Sequence, residues 1–260
     1  MIDAGNGVCR QMALAGLPPR SLTAVFVTHN HSDHVADYGN LLLRCWQSGL
    51  KTPVDTYGPP QIVQMTEDYL KYMQWDIEVR IEEEGRTQLR ELIRVHPILK
   101  EGPIYHDDNV SVTTVEVPHG SAKPSYAFRF DTPQSSVVFS GDTSYSENLI
   151  ELARKADILV HEVVNLDAIA SVVNTLDKGN PKLYRHIVES HTSIEEVGKV
   201  ASAADVDTLV LTHFVPGGHP KFDKPEVWIE GIRKHFSGNV IVGEDLLEIP
   251  IISRQGLPAS

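Results

Sequence analysis

Six residues, His29-Asn30-His31-Ser32-Asp33-His34, set four metal-ligand side chains directly behind the apolar run Leu22 to Thr28. This H-x-H-x-D-H stretch cannot sit in an apolar core, because each polar group would need a partner there. Imidazole and carboxylate are donors that Zn²⁺, Mn²⁺ and Fe²⁺ accept. A turn after a strand can aim the first two His at one ion and Asp33 and His34 at another. A chain carrying this stretch needs a strand end, a tight turn and further ligands brought in from elsewhere.

The further ligands recur in one kind of place. His119 follows Val112 to Val117, Asp142 follows Val137-Val138-Phe139-Ser140-Gly141, and His213 follows Thr208 to Thr212. Each stands just past a β-type run, where open sheets build their sites. Singly, His119 or His213 reads as a hydrogen-bonded loop histidine; with H-x-H-x-D-H they complete a two-metal set. Ser144-Tyr145-Ser146-Glu147 has its own capping-box spacing, so Asp142 is free for a task other than capping.

Strands and helices alternate along the chain, which predicts an α/β (α+β) layered protein. Strands are expected at Leu22 to Thr28, Val54 to Tyr57, Val110 to Val117, Ser125 to Asp131, Ser136 to Phe139, Ile158 to Val163, Leu209 to Thr212 and Val240 to Val242. Helices are expected at Val8 to Gly16, Tyr38 to Gln47, Gln61 to Trp75, Leu149 to Lys155, Ile194 to Ala204 and Glu226 to Phe236. Ile77 to Ile98 reads as neither, and Asn165 to Ser190 carries no assignment; an insertion there either borders the site or is a plain surface helix pair. Pro216-Gly217-Gly218 and Pro220 predict a turn after His213 that shapes a pocket rim.

Composition bounds the remainder. The 260 residues suffice for one large core or two small ones and are read as a single domain, 1–260. Two cysteines, Cys9 and Cys45, exclude a disulfide framework and a Cys-rich zinc site. The formal net charge of −12 disfavours a nucleic-acid surface as the default. No run is long and apolar enough to span a bilayer, and no leader precedes Ile2-Asp3-Ala4-Gly5, so a cytoplasmic location is expected.

Taken together, the motifs resemble the metallo-β-lactamase-fold hydrolases from Ile2-Asp3-Ala4-Gly5 to Val242-Gly243-Glu244-Asp245. Ser140-Gly141-Asp142-Thr143, His161-Glu162, His191-Thr192-Ser193 and Leu211-Thr212-His213-Phe214 are most similar to the ribonuclease Z and arylsulfatase branch. The resemblance implies a four-layer αββα sandwich lacking the family's first N-terminal strands. It implies two divalent metal ions, Zn²⁺ before Mn²⁺ or Fe²⁺. His29, His31 and His119 would hold one ion and Asp33, His34 and His213 the other, with Asp142 bridging and Asp33 also catalytic. It further implies that His191, oriented by Glu162, faces the scissile bond and gives a proton to the leaving oxygen. His161 reads equally as a satisfied core residue. Residues without ligand spacing, His96, His106, His186, His219 and His235, read as surface or packing residues.

The substrate follows less directly. The family's tRNA-gripping arm is Gly/Pro-rich and basic, whereas Gly58 to His119 contains Glu82-Glu83-Glu84 and Asp107-Asp108. A small-molecule ester, a sulfate ester or a phosphodiester, is therefore expected ahead of tRNA, with nucleic acid disfavoured, no membrane partner and a homodimer. A lactonase is the third reading, with Tyr145 of Asp142-Thr143-Ser144-Tyr145 binding substrate. A non-enzymatic scaffold is disfavoured because all seven ligand positions are filled.

Overall fold

Period-two apolar runs become strands and 3.6-period runs become helices that cover them. The computed structural model describes residues 1–176, 180–218 and 224–250. His219 and Pro220, read from the sequence as a surface histidine and part of a turn, lie outside the described residues. Two units divide the chain, Met1–Lys100 and Glu101–Ser260.

The first unit is built on a three-stranded parallel sheet, β1 (Ala24–Phe26), β2 (Val54–Gly58) and β3 (Ile93–Pro97), in the order β1-β2-β3. Its helices are α1 (Val8–Leu14), α2 (Ser32–Val35), α3 (Tyr38–Gln47), α4 (Ile62–Tyr72) and α5 (Gln74–Glu84). Val25, Val27, Val54 and Ile93 pack with Leu41, Leu42 and Trp46 of α3 and Ile62 of α4. Cys45 lies in this core, as its apolar setting predicts, and burial pushes its thiol up to about 12. The expected helix Gln61 to Trp75 divides at Met73, which leaves helical geometry at ψ 7°. The ambiguous stretch resolves into α5, closed by Gly85 in the left-handed region, and β3.

The second unit carries a seven-stranded sheet in the order β10-β9-β8-β7-β6-β5-β4. The strands are β4 (Gly102–His106), β5 (Ser111–Glu116), β6 (Tyr126–Asp131), β7 (Ser136–Phe139), β8 (Ile158–Val164), β9 (Thr208–Val215) and β10 (Asn239–Val242). β7 to β10 run parallel and β4 to β7 antiparallel. One sheet face, through Val138, Leu159, Val163, Leu209 and Leu211, packs on α6 (Glu147–Ala153), α9 (Ile194–Ala204) and α10 (Pro225–Ile232). The unassigned stretch after β8 is a helix pair, α7 (Leu166–Leu176) and α8 (Pro181–Ser190). Ile169 and Val173 of α7 pack with Val164, and Ile187 of α8 covers them. β4 escapes sequence reading because Gly102 and Pro103 dilute its alternation.

Candidate metal centre and proton-donor pair

In the first unit the ligand-type residues occupy the turn that leaves β1. His29 is fully buried, His34 nearly so, and Asp33 is exposed on the first turn of α2. The Nε2 of His29 and the Nδ1 of His31 lie 3.0 Å apart. Asp3 organises the loop. It accepts hydrogen bonds from Thr28 N–H (2.7 Å), Thr28 Oγ1 (2.9 Å) and His34 Nδ1 (2.7 Å). With its proton given to Asp3, the Thr28 hydroxyl accepts from His29 Nδ1 at 3.0 Å. Both histidines are thereby fixed with the proton on Nδ1 and the lone pair on Nε2, the tautomer a metal needs. Asp33 Oδ2 stands 3.6 Å from His34 Nε2.

Gly5 explains how the N-terminal segment comes so close. A Cβ there would lie 1.9 Å from the Asp33 carbonyl oxygen. Ala4 N–H donates to the His34 carbonyl at 2.7 Å, and Asp37 N–H to the Ala4 carbonyl at 2.9 Å. In the sequence Ile2-Asp3-Ala4-Gly5 stands only as the first piece of the family resemblance. The overlooked signal was an acidic residue two positions before a glycine in the very motif used for the resemblance.

In the second unit two strand ends and one position inside β9 supply the other ligand-type residues; the strand expected to stop at Thr212 runs on to Val215, so His213 lies within it. His119, past β5, is buried and donates from Nδ1 to the Ser190 carbonyl at 2.7 Å, which again leaves Nε2 for a metal. Asp142, past β7, is buried, and its Oδ2 lies 3.8 Å from His119 Nε2 and 3.4 Å from His213 Nε2. His213 occupies a bulge in β9: Glu162 pairs with Thr212 and Val163 with Phe214, so His213 is the extra residue. Its φ of 44° is left-handed for a non-glycine residue, a local strain of the kind that re-aims side chains at functional sites.

Beside these residues lies Glu162. It is buried, and its Oε1 accepts from Thr143 N–H at 3.0 Å and from His191 Nδ1 at 3.0 Å. Burial pushes its carboxyl well above the ordinary range, and the charge of Asp142 adds to this; the Thr143 N–H and the His213 ring oppose it. The His191 ring stacks on that of His213 at 5.8 Å and meets that of His119 edge-on at 5.2 Å. Thr192, not singled out from the sequence, donates from Oγ1 to the Thr143 carbonyl and so ties the His191 turn to the Asp142 turn. Ser193 and Glu196 form the capping box of α9.

The remaining histidines divide clearly. His161 faces the helical side of the sheet, fully buried, and donates from Nδ1 to the Glu162 carbonyl at 2.6 Å. Desolvation lowers it to about 4, so it is a neutral core residue. His96 pairs with Asp55 at 2.7 Å, and His235 stands 4.0 Å from Glu195. Tyr145 is half-exposed at the entry to α6; partial burial and the carboxylates Glu147 and Glu196 hold its phenol above the ordinary range.

The His/Asp sets of the two units agree in chemistry with the sequence motifs. Residues 1–214 match the β-lactamase superfamily domain. Ribonuclease Z of Mycobacterium bovis is 32% identical over 258 residues, covering 98% of this chain and 89% of that protein. The chain belongs to the β-lactamase superfamily, within the ribonuclease Z family. Among solved structures, the metallo-β-lactamase fold protein YhfI from Bacillus subtilis superposes with a TM-score of 0.65 at 21% identity, covering 94% of this chain and 83% of that one. The short form of human tRNase Z gives 0.64 at 20% identity, covering 96% and 87%. The fold is thus the metallo-β-lactamase one that the motifs imply, and the chain is a hydrolase of that fold. The expected partner needs correction. A small-molecule substrate with nucleic acid disfavoured does not fit a chain whose relatives are ribonucleases. Net charge describes the average surface, whereas gripping phosphates takes only a local patch. Among the described residues no helix is long and apolar enough to cross a membrane.

Proposed function

We propose that the chain is a metal-dependent RNA phosphodiesterase, a tRNA 3′-processing endonuclease of the ribonuclease Z kind. The observation that carries this reading is the pairing of buried Glu162 with the partly exposed His191 beside Asp142, His119 and His213. The ligand assignment is the one the resemblance implies: His29, His31 and His119 for one ion, Asp33, His34 and His213 for the other, Asp142 for both. Zn²⁺ suits a set of imidazoles and carboxylates. The fixed Nδ1 protons of His29, His34 and His119 support the fit, since each leaves Nε2 for a metal.

When bound, the two ions would supply a nucleophile from water near neutral pH and take up charge on the phosphate. The protein's own part is orientation and proton supply. Glu162 Oε1 holds His191 by Nδ1, so Nε2–H of His191 is the donor to the leaving ribose oxygen. Asp33 is assigned to orient the attacking water, and Tyr145, three residues beyond Asp142, to bind the substrate. Thr192 keeps the donor and the Asp142 turn in register through the Thr143 carbonyl.

The test is to incubate the Zn²⁺-loaded protein with a precursor tRNA bearing a 3′ trailer and to map the new ends. Cleavage at one position, abolished by a chelator and restored by Zn²⁺, is expected. Turnover of an aryl sulfate or a lactone with the precursor left intact would overturn the proposal.

A further inference from the structure

Helix α8 presents an exposed basic face beside the second-unit site. Lys182, Arg185 and His186 stand at i, i+3 and i+4, so they share one side, and all three are exposed. Ile187 packs inward on α7 and Val164, which fixes that side outward. Among the described residues no carboxylate pairs with Lys182 or Arg185. Glu189 ends the same face, so the positive charge concentrates toward the helix start.

The face is joined to the site by its C-terminal end. The Ser190 carbonyl accepts from His119 Nδ1, and His186 Nδ1 lies 3.4 Å from Ser190 Oγ. A Cβ at Gly120 would lie 2.5 Å from that Oγ and 3.9 Å from His186 Nδ1. Lys123, exposed, follows on the turn after Gly120. At 1.5 Å per residue, Lys182 is about 12 Å along the helix axis from Ser190, the length of roughly three to four stacked nucleotides at 3.4 Å each.

We propose that the Lys182–Arg185–His186 face of α8, continued by Lys123, holds the phosphate backbone of the RNA substrate as it leads to the cleavage site. The inference rests on the ribonuclease reading and deepens it. Charge complementarity selects the occupant: the chain carries −12 overall, and phosphate binding requires cations not already neutralised by the protein. It also answers the missing basic arm between Gly58 and His119, because the cations stand on the helix pair after β8 instead. Lys and Arg here contact backbone, so they contribute affinity and no sequence preference.

The experiment compares wild type with Lys182→Gln/Arg185→Gln, which removes the charge and keeps helix propensity, and with a control, Lys51→Gln/Lys71→Gln, of equal charge change. Binding of precursor tRNA is measured by fluorescence anisotropy from about 0.05 to 0.3 M salt, together with KM and kcat for cleavage. Each lost phosphate contact removes about 0.7–0.9 from the log–log salt slope and weakens binding about 4- to 5.5-fold at 0.15 M salt, so the double variant should lose about 1.4–1.8 in slope and about 15- to 30-fold in affinity. KM for the precursor should rise while turnover of bis(p-nitrophenyl) phosphate stays unchanged. Lys182→Glu/Arg185→Glu should weaken binding further. Unchanged affinity and slope in the Gln variant, or an equal loss in the control, would overturn this inference and leave the ribonuclease reading standing. Absence of RNA binding by wild type would overturn both, and capture of anionic lipid vesicles in its place would assign the face to a membrane.

Discussion

Replacing Asp3 by Asn removes one oxygen and a charge while keeping the shape of the side chain. The amide oxygen can still accept from Thr28 N–H, as Asp3 Oδ1 does at 2.7 Å. The amide nitrogen then replaces Oδ2, which accepts from His34 Nδ1 at 2.7 Å and from Thr28 Oγ1 at 2.9 Å. Two donors would face each other at His34. The imidazole resolves the conflict by moving its proton to Nε2, and the lone pair for the metal is lost. The hydrogen bond forfeited is to a charged group, worth about 1.5–3 kcal/mol. That corresponds to about 10- to 150-fold in affinity and overlaps the 10- to 100-fold typical of outer-shell partners of metal-bound histidines. A competition titration against a chromophoric chelator, with ions counted per chain, reads this directly. The ion assigned to His34 should bind about 10- to 100-fold more weakly, and the ion assigned to His29 should weaken by less, because the Thr28 hydroxyl loses its acceptor at Oδ2 but can still accept from His29 Nδ1. Two ions at wild-type affinity would refute the tautomer argument. Equal loss of both ions with a lower melting temperature would reduce Asp3 to a structural residue.

Three further outcomes follow from other residues. His191→Ala should keep the wild-type metal content and lower kcat by about 10²–10⁴-fold, most for diesters with poor leaving groups, with Glu162→Gln a milder version; equal loss on good and poor leaving groups would count against a proton donor. Gly5→Ala places a methyl group 1.9 Å from the Asp33 carbonyl oxygen, so the turn must move, at a cost of about 1–3 kcal/mol visible in urea denaturation and in weakened metal binding; a variant with wild-type stability and metal content would contradict the close approach. His161, lowered from 6.5 to about 4, takes up its proton in the unfolded chain before the folded one. Its contribution is complete above pH 6.5 and is lost as pH falls toward 4, by about 3 kcal/mol in all. The stability difference between wild type and His161→Gln should therefore change by about that much between pH 7 and pH 4; a constant difference would show His161 to be hydrated.

The sequence by itself determined the strand-end placement of the metal loop, His119 and Asp142, because a loop written in six consecutive residues and single ligands after apolar runs are local patterns; His213 instead lies inside β9, which runs on to Val215. Helices α3 and α9 and strand β7 have the bounds that periodicity predicts for the same reason. The pairing of His191 with Glu162 was legible only through the family resemblance, since 29 residues separate them. Tertiary structure alone decided the rest. Asp3 and Thr192 act through hydrogen bonds to Thr28, His34 and Thr143, and no local pattern announces a partner 25 to 49 positions away. The bulge at His213 arises from the register of β8 against β9. The basic face of α8 became visible once packing of Ile187 set the rotation of the helix, whereas summed charge had pointed away from RNA. Composition adds charges without regard to place, and phosphate binding depends on where they stand.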